Sequence, residues 1–470
     1  MPRVIHASFV AFLIATVGCR NVSTRTITEH PQGTSPATPS DVQAEVRNVA
    51  FNGDSADPQT ALHPAEYIEP LPAPQDDQPS ASQLTLADVE GLALQNNPTL
   101  SQAAARMAAA RGRQVQAGLY PNPVVGYHGT EIGNQGTAGQ QGGFVSQRIV
   151  TAGKQQLDQA AAGREVQATH FQFHAQEQRV LTDIRVRFYE VLAAQRRLAL
   201  TSDLADIGDN LVTATEKLQG ERLRTENDLL QAQVRAEEAH ILLDNARNEL
   251  DEAWRRLVVV VGLPGLAPST LHGELEPNAS DLSWDDSYSR VLAANPELQA
   301  ARSRAAKARI LIQRAKKEPV PNVDVFVSVR HIYPTDSDVA NVQLGVPVPV
   351  FDRNQGNIRA AEAEWIAACR EVKRIELDLQ DRLAVGYRRY KNAGQQARRY
   401  REQIVPKAER SLSLVTNGYK QGQVEYLTLL TAQQTYVQVT LAYVDALREL
   451  QAATAVIEGK VLSGSLASAG

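Results

Sequence analysis

The chain is poor in cysteine, methionine and aromatic residues, and neither sign of charge is in strong excess. Two of its 470 residues are cysteine, two are methionine, aromatic residues make up 5%, and the net charge is −5 at pH 7. This weakly acidic balance leaves no basic patch for nucleic acid. A nucleophile elbow, a phosphate loop and a Cys-x-x-Cys pair are also missing from the sequence. The sequence therefore predicts neither an enzyme nor a nucleic-acid-binding protein.

The N-terminus has the pattern of an export signal. An apolar stretch over residues 4–17 is too short to span a bilayer and is typical of a signal-peptide core. It ends at Gly18-Cys19, which resembles the lipobox of bacterial lipoproteins, although Thr16 departs from the large aliphatic residue usual there. We predict a lipoprotein-type signal peptide over 1–19 with lipidation of Cys19. The alternative is an ordinary cleaved signal with an incidental cysteine.

Residues 20–83 predict a disordered linker. They are rich in Pro, Ser, Thr, Asp and Gln and show no apolar periodicity, so they cannot bury enough apolar surface to offset their ordering entropy. Arg20 follows Cys19, and the aspartate associated with inner-membrane retention is absent there. Cys369 has no disulfide partner once Cys19 is acylated. This arrangement fits an anchored protein on a long tether.

The rest of the sequence is an internal duplication, in which the second repeat begins about 200 residues after the first. We predict a first repeat over 84–265, a connector over 266–281, a second repeat over 282–463 and a tail over 464–470. Such a duplication suits a ring, a tube or a solenoid, whereas an active site usually converges on one place. The matching segments are 84–100 with 282–298, Pro121-Asn122 with Pro321-Asn322, and 229–233 with 429–433.

Each repeat predicts the order helix, strand pair, long helix, turn and long helix, in which the strand pair is a β-hairpin. In the first repeat the first helix is predicted over about 86–118. The second hairpin shows strict alternation of apolar and polar residues, with a turn at 334–338 between its strands. The first hairpin, over 124–150, is weaker because a glycine-rich loop occupies 129–143. The apolar positions are Val323, Val325, Val327, Val329, Val342, Leu344, Val346, Val348 and Val350 in the second hairpin, and Val125, Tyr127, Val145 and Ile149 in the first.

Alternating strands of about ten residues fit an outer membrane, with the apolar face on lipid and the polar face on a lumen. A soluble sheet covered on one side is the alternative. Two hairpins supply four strands, which cannot close a barrel around a lumen. Because no strand edge is left unpaired in a bilayer, membrane-embedded strands would require several chains to share one barrel. Three chains would supply twelve strands.

The long helical stretches are rich in alanine and glutamine and carry a heptad seam in both repeats. A helix over about 155–217 would be on the order of 90 Å long, which exceeds any bilayer. An antiparallel coiled coil without a channel would show the same seam. The seam residues are Leu229, Ala232, Ala236, Ala239, Leu243, Ala246, Leu250, Ala253 and Leu257, repeated as Leu429, Ala432, Tyr436, Val439, Tyr443, Ala446, Leu450, Ala453 and Ile457.

From about Leu84 to Ser463 the sequence resembles the TolC-like outer membrane efflux proteins. The resemblance rests on the duplicated Asn-Pro-x-Leu, Pro-Asn and Leu-Leu-x-Ala-Gln motifs, and the stretch 346–358 is similar to the branch that serves heavy-metal cation efflux. It implies an α+β membrane protein and a homotrimer with a shared twelve-stranded β-barrel in the bacterial outer membrane, continued by a long periplasmic α-helical barrel. The implied partners are outer membrane lipids, a periplasmic adaptor and an inner-membrane pump of the proton-driven RND type.

The resemblance also implies where functional residues lie. In the family, acidic residues ring the periplasmic aperture near the second Leu-Leu-x-Ala segment, but Thr428 and Thr431 stand there in this chain. Glu226, Asp228 and Glu425 are the acidic candidates, which would concentrate cations at the mouth. Acidic residues at a helix start also complement the helix dipole, which is the structural alternative. The turn candidates for adaptor docking are Gly418, Tyr419, Lys420 and Gly422.

Metal ligands are sparse in the sequence. His170 and His174 share one helix face, but no third ligand lies nearby in sequence, so we predict no metal site and no cofactor. Two function classes remain. The first is a passive outer membrane channel of a tripartite efflux system, and the second is a structural coiled-coil lipoprotein that spans the periplasm without transport.

Overall fold

The computed structural model describes residues 84–221, 225–276, 281–421 and 423–467. The predicted signal peptide, Cys19 and the linker over 20–83 lie outside the described residues. So do Gly422, the end of the tail and part of the connector. The repeat and connector boundaries stay predictions.

Both halves follow the predicted order of helices, strand pair, long helix, turn and long helix. The first half consists of α1 (Leu86–Asn96), α2 (Pro98–Ala117), β1 (Val124–Thr130), β2 (Gln140–Ile149), α3 (Lys154–Gly220) and α4 (Glu226–Val261). The second consists of α5 (Trp284–Ala294), α6 (Pro296–Lys317), β3 (Val323–Ile332), β4 (Ser337–Gly345), α7 (Gln355–Arg399), a π-helical turn (Tyr400–Ile404), α8 (Val405–Lys420) and α9 (Tyr426–Glu458). With 67 residues, α3 is about 100 Å long.

The four strands form one antiparallel sheet in the order β1-β2-β3-β4. The register aligns Val125, Val145, Val327 and Val342 in one row across all four strands, so the apolar positions of both hairpins share a face. That face is open, since Val125 is 75% exposed and Val342 65% exposed. Within the described chain, β1 and β4 each pair on one side only.

The helices form a layer whose order matches that of the strands. Next to the sheet, α2, α3, α6 and α7 pack side by side in that sequence. Farther away α4 takes the place of α2, α9 takes the place of α6, and α8 continues α7. The sheet and the helix layer therefore each begin and end with an element that packs on one side only in the described chain.

In both α4 and α9, the residues of the predicted heptad seam form the face that packs against neighbouring helices. Ala232, Ala236, Ala239, Leu243 and Ala246 are all buried, as are the C-terminal seam residues of α9. Small side chains let the axes of neighbouring helices come close, because little side-chain volume separates their backbones. The two main cores lie where α1 and α5 cover the ends of these seams, around Phe188 and Leu383 respectively.

Two buried asparagines explain the duplicated Asn-Pro motif. Asn97 accepts a hydrogen bond from the Thr99 N–H at 2.9 Å as the N-cap of α2, and its Nδ2 donates to the Val260 carbonyl at 2.6 Å. In the second half, Asn295 accepts from the Leu298 N–H at 3.2 Å, and its Nδ2 donates to Lys460 at 3.0 Å. Each asparagine starts one helix and holds the end of another.

Three local predictions need correction. The helix predicted over 86–118 is two helices, because Pro98 cannot donate a hydrogen bond and Asn97 is extended. The strand predicted to continue to Val350 ends at Gly345, since Pro347 and Pro349 have no N–H for the ladder. The long helix of the second half contains the π-helical turn just before Pro406.

No helix in the described part of the chain combines the length and apolar character needed to cross a bilayer.

Candidate functional site

The candidate residues cluster at the two helical turns that lie farthest from the sheet. One turn joins α3 to α4 and the other joins α8 to α9. Helix α3 borders the first turn and helix α9 borders the second, and these two helices contact each other. The structure therefore brings the turns of both halves to the same end of the molecule.

At the start of α4, Asp228 has a structural role. Its carboxylate accepts a hydrogen bond from the Thr225 N–H at 3.0 Å, and its own N–H donates to Thr225 Oγ1 at 3.2 Å. This capping box satisfies two backbone donors that the helix itself leaves unpaired. Glu226 is exposed in the same turn, so its carboxylate is open to solvent.

The second turn offers less charge. Glu425 is the exposed N-cap residue of α9, and its side chain makes no capping hydrogen bond. Thr428 is exposed, and Thr431 Oγ1 donates to the Leu427 carbonyl at 2.9 Å on its own helix. Thr431 is thus occupied locally, and the predicted acidic candidates at this end are Glu226, Asp228 and Glu425.

The predicted docking turn depends on a close approach at Gly418. A Cβ at this position would lie 2.6 Å from Val424 Cγ2, and the Gly418 carbonyl accepts a hydrogen bond from the Gln423 N–H at 2.9 Å. A side chain at this position would have to displace the Val424 methyl group. Tyr419 is half-buried, and Lys420 ends α8.

Tyr426 is a residue of this end that the sequence did not single out. It is buried with Ala232 and Leu430 against the first half, and its ring lies 6.2 Å from that of Tyr419. Burial, with smaller contributions from neighbouring charges, raises the pKa of Tyr426 to about 12. Its hydroxyl is buried without a hydrogen-bond partner among the described residues. The signal available in the sequence was an aromatic residue directly after a helix turn in the second half only.

Farther along the helices, Arg197 joins the two halves electrostatically. From α3 it pairs with Glu249 of α4 at 2.7 Å and with Asp445 of α9 at 2.6 Å. An arginine between two carboxylates fixes the relative position of three helices, because its planar fork uses separate N–H groups for each partner.

Among the described residues, one face of the helix layer is apolar and uncovered. Leu230, Val234 and Ile241 on α4 are each more than half exposed. A neighbouring cavity of 230 Å³ lies between α3, α4 and α9. Across the described ranges, no group of three or more His, Cys, Asp or Glu side chains is arranged to hold a metal ion.

Comparison with known proteins matches this architecture. The family described as outer membrane efflux protein matches residues 90–263 and 287–458, one segment in each half. The chain belongs to the outer membrane efflux protein family. The family resemblance seen in the sequence is thereby confirmed.

The chain is similar to individual known proteins at low sequence identity, to one by sequence and to two by solved structure. The cobalt-zinc-cadmium resistance protein CzcC of Cupriavidus metallidurans is 24% identical over 380 residues, which cover 80% of this chain and 90% of CzcC. The solved structure of VceC from Vibrio cholerae has a TM-score of 0.65 at 20% identity, covering 80% of this chain and 96% of VceC. That of CusC has a TM-score of 0.67 at 16% identity, covering 81% and 92%.

Proposed function

We propose that this chain is the outer membrane channel subunit of a tripartite efflux system, acting as a passive conduit. Three copies share a twelve-stranded β-barrel, and their helices continue it as a periplasmic α-helical barrel. The observation that carries the proposal is the sheet, which has one exposed apolar face and two open edges. A bilayer leaves no strand edge unpaired, so β4 of one copy pairs with β1 of the next.

The helix layer supports the same ring. Because α2, α3, α6 and α7 follow the strand order, copies that join through β1 and β4 also join through α2 and α7. The exposed apolar residues of α4 then face the neighbouring copy. With α3 about 100 Å long, the tube extends from the membrane deep into the periplasm, where its turns meet the adaptor and pump.

The proposed cargo is divalent transition-metal cations. The support is the similarity to CzcC, whose name states resistance to cobalt, zinc and cadmium. Glu226, Asp228 and Glu425 supply carboxylates around the mouth, and three copies of each attract cations. Cys19 anchors each copy to the outer membrane through lipid, and the turn around Tyr419 docks the adaptor.

Conductance tests the conduit directly. The purified protein, reconstituted in planar bilayers, is expected to give discrete conductance steps and to run as a heat-sensitive trimer on mild-detergent gels. A structural spacer without transport predicts a monomer that leaves bilayers silent. A silent monomer would therefore overturn the channel proposal.

Crosslinking in intact cells tests the partners and cargo. A C-terminally tagged chain is expected to copurify an adaptor and a proton-driven cation pump. Recovery of a drug-type pump would keep the conduit and replace the cargo. Recovery of no pump from a protein that conducts would contradict the tripartite assembly.

A further inference from the structure

A pair of histidines on α3 lies apart from the channel mouth and from the ion pairs that join the halves. His170 is exposed and the His174 side chain is 45% exposed, so both imidazoles are open to ions in solution. The two ring centroids lie 4.6 Å apart. This distance is the first indication that the pair could share one ion.

The ring separation agrees with the geometry of a shared metal ion. Nitrogen–metal bonds of about 2.0–2.1 Å and an angle of about 90–110° between them place two imidazole centroids roughly 4.6–5.3 Å apart. Residues four apart on a helix project to the same side, so the backbone holds the two rings near this separation without further change.

Glu177 sets the tautomer of one ring. Its Oε2 lies 2.9 Å from His174 Nδ1. An ionised carboxylate only accepts hydrogen bonds, so Nδ1 of the neutral ring carries the proton and Nε2 keeps its lone pair. Metal-bound histidines in proteins are oriented by such a carboxylate on the opposite ring nitrogen.

We infer that His170 and His174 bind one divalent transition-metal ion, with Glu177 as the carboxylate that orients His174. Imidazole ligands suit Cu²⁺, Zn²⁺, Ni²⁺ and Co²⁺. Two protein ligands leave the other coordination positions to water, which makes an exchangeable site. The site deepens the proposed cargo class, but it stands on its own geometry and is tested by binding alone.

Copper titration of the purified, tag-free full-length protein tests the site. Cu²⁺ is the probe because it binds such ligands most tightly of the divalent first-row metals and reports its ligands by electron paramagnetic resonance. We expect nitrogen splitting from two imidazoles. We expect His170→Ala and His174→Ala each to weaken binding about 10–100-fold, and Glu177→Gln about 10-fold.

The matched control is His240→Ala. His240 also contacts a carboxylate, with its Nε2 3.0 Å from Asp209 Oδ1, but it has no second imidazole four residues away. This variant should bind copper like the parent. The double variant His170→Ala/His174→Ala keeps neither imidazole ligand, so it should lose copper binding at this site beyond the loss in either single variant.

Three outcomes would overturn the assignment. They are unchanged copper affinity in His170→Ala, an equal loss in His240→Ala, and a spectrum with one nitrogen in the parent protein. None of them bears on conductance, so a failed metal site leaves the proposed conduit standing, and a silent channel leaves the metal site standing.

Discussion

Single asparagines connect distant parts of the chain in both halves. Asn97 and Asn295 each combine a helix cap with a hydrogen bond to a carbonyl more than 150 residues away, since the separations are 163 and 165 residues. Both side chains are buried. Removing such a side chain leaves two buried backbone groups without partners, so its loss is felt in two helices at once.

We predict that Asn97→Ala lowers the stability of the solubilised protein by about 2–4 kcal/mol, the sum of a lost cap and an unpaired carbonyl. Asn97→Asp keeps the cap acceptor but presents a carboxylate to the Val260 carbonyl, so it should also destabilise. The thermal midpoint measures both. Asn96→Ala is the control, because Asn96 donates only to Leu92 on its own helix. Equal midpoints for the two alanine variants would contradict the role of Asn97.

Two tyrosines with the same raised pKa should respond differently to loss of the hydroxyl. Tyr443 donates to Glu276 Oε1 at 2.9 Å, whereas the Tyr426 hydroxyl has no partner in the part of the chain that the structure describes. Tyr443→Phe should therefore cost about 1–2 kcal/mol, and Tyr426→Phe should be neutral or slightly stabilising. Denaturant unfolding of the two variants measures the difference. Equal losses would show that Tyr426 also uses its hydroxyl.

The same pair predicts a loss of stability at alkaline pH. Burial is the main cause that raises the pKa of Tyr426 and Tyr443 from 10.0 to about 12. Between pH 10 and 12 the unfolded chain has lost these protons and the folded chain keeps them, so unfolding becomes easier as pH rises. A pH series of thermal midpoints should fall less steeply in Tyr426→Phe than in the parent. If the thermal midpoint falls equally steeply in Tyr426→Phe and in the parent, the raised pKa of Tyr426 would be contradicted.

At the scale of elements, successive side chains along each strand alternate between the two faces of the sheet. Val342 and Gln343 are neighbours on β4, and both are exposed. They point to opposite faces of the sheet. A lysine on the lipid face costs about 2–4 kcal/mol at mid-membrane. Val342→Lys should thus reduce the yield of assembled protein in outer membrane fractions, while Gln343→Lys assembles normally. Equal yields would mean that the apolar face does not meet lipid.

The sequence predicted the elements well and their interruptions poorly. Alternation and heptads fixed the strands, the long helices and the buried seam because burial has the same period as the pattern. The π-helical turn before Pro406 and the early end of β4 depend on missing N–H groups, which periodicity does not count. At the site, charge marked Glu226, but the buried Tyr426 depends on contacts between halves that only the fold brings together.

At the scale of the whole molecule, the carboxylates at the mouth of the proposed channel should set its ion preference. Glu226→Gln removes one exposed carboxylate from each copy, so the reversal potential in a KCl gradient should move toward zero. Glu237→Gln is the control, since Glu237 is also exposed on α4 but lies about 16 Å along the helix. Identical potentials for the parent and Glu226→Gln would exclude this residue from the mouth.

The two open edges of the sheet have a consequence in genetics. In the proposed trimer, a copy with a defective β1 still offers an intact β4, so it would enter a ring and disrupt the junction on its other side. When defective and native copies are made in equal amounts and mix at random, roughly one trimer in eight contains native copies alone. Edge mutations should therefore act as dominant alleles, whereas mutations that prevent the chain from folding should be recessive.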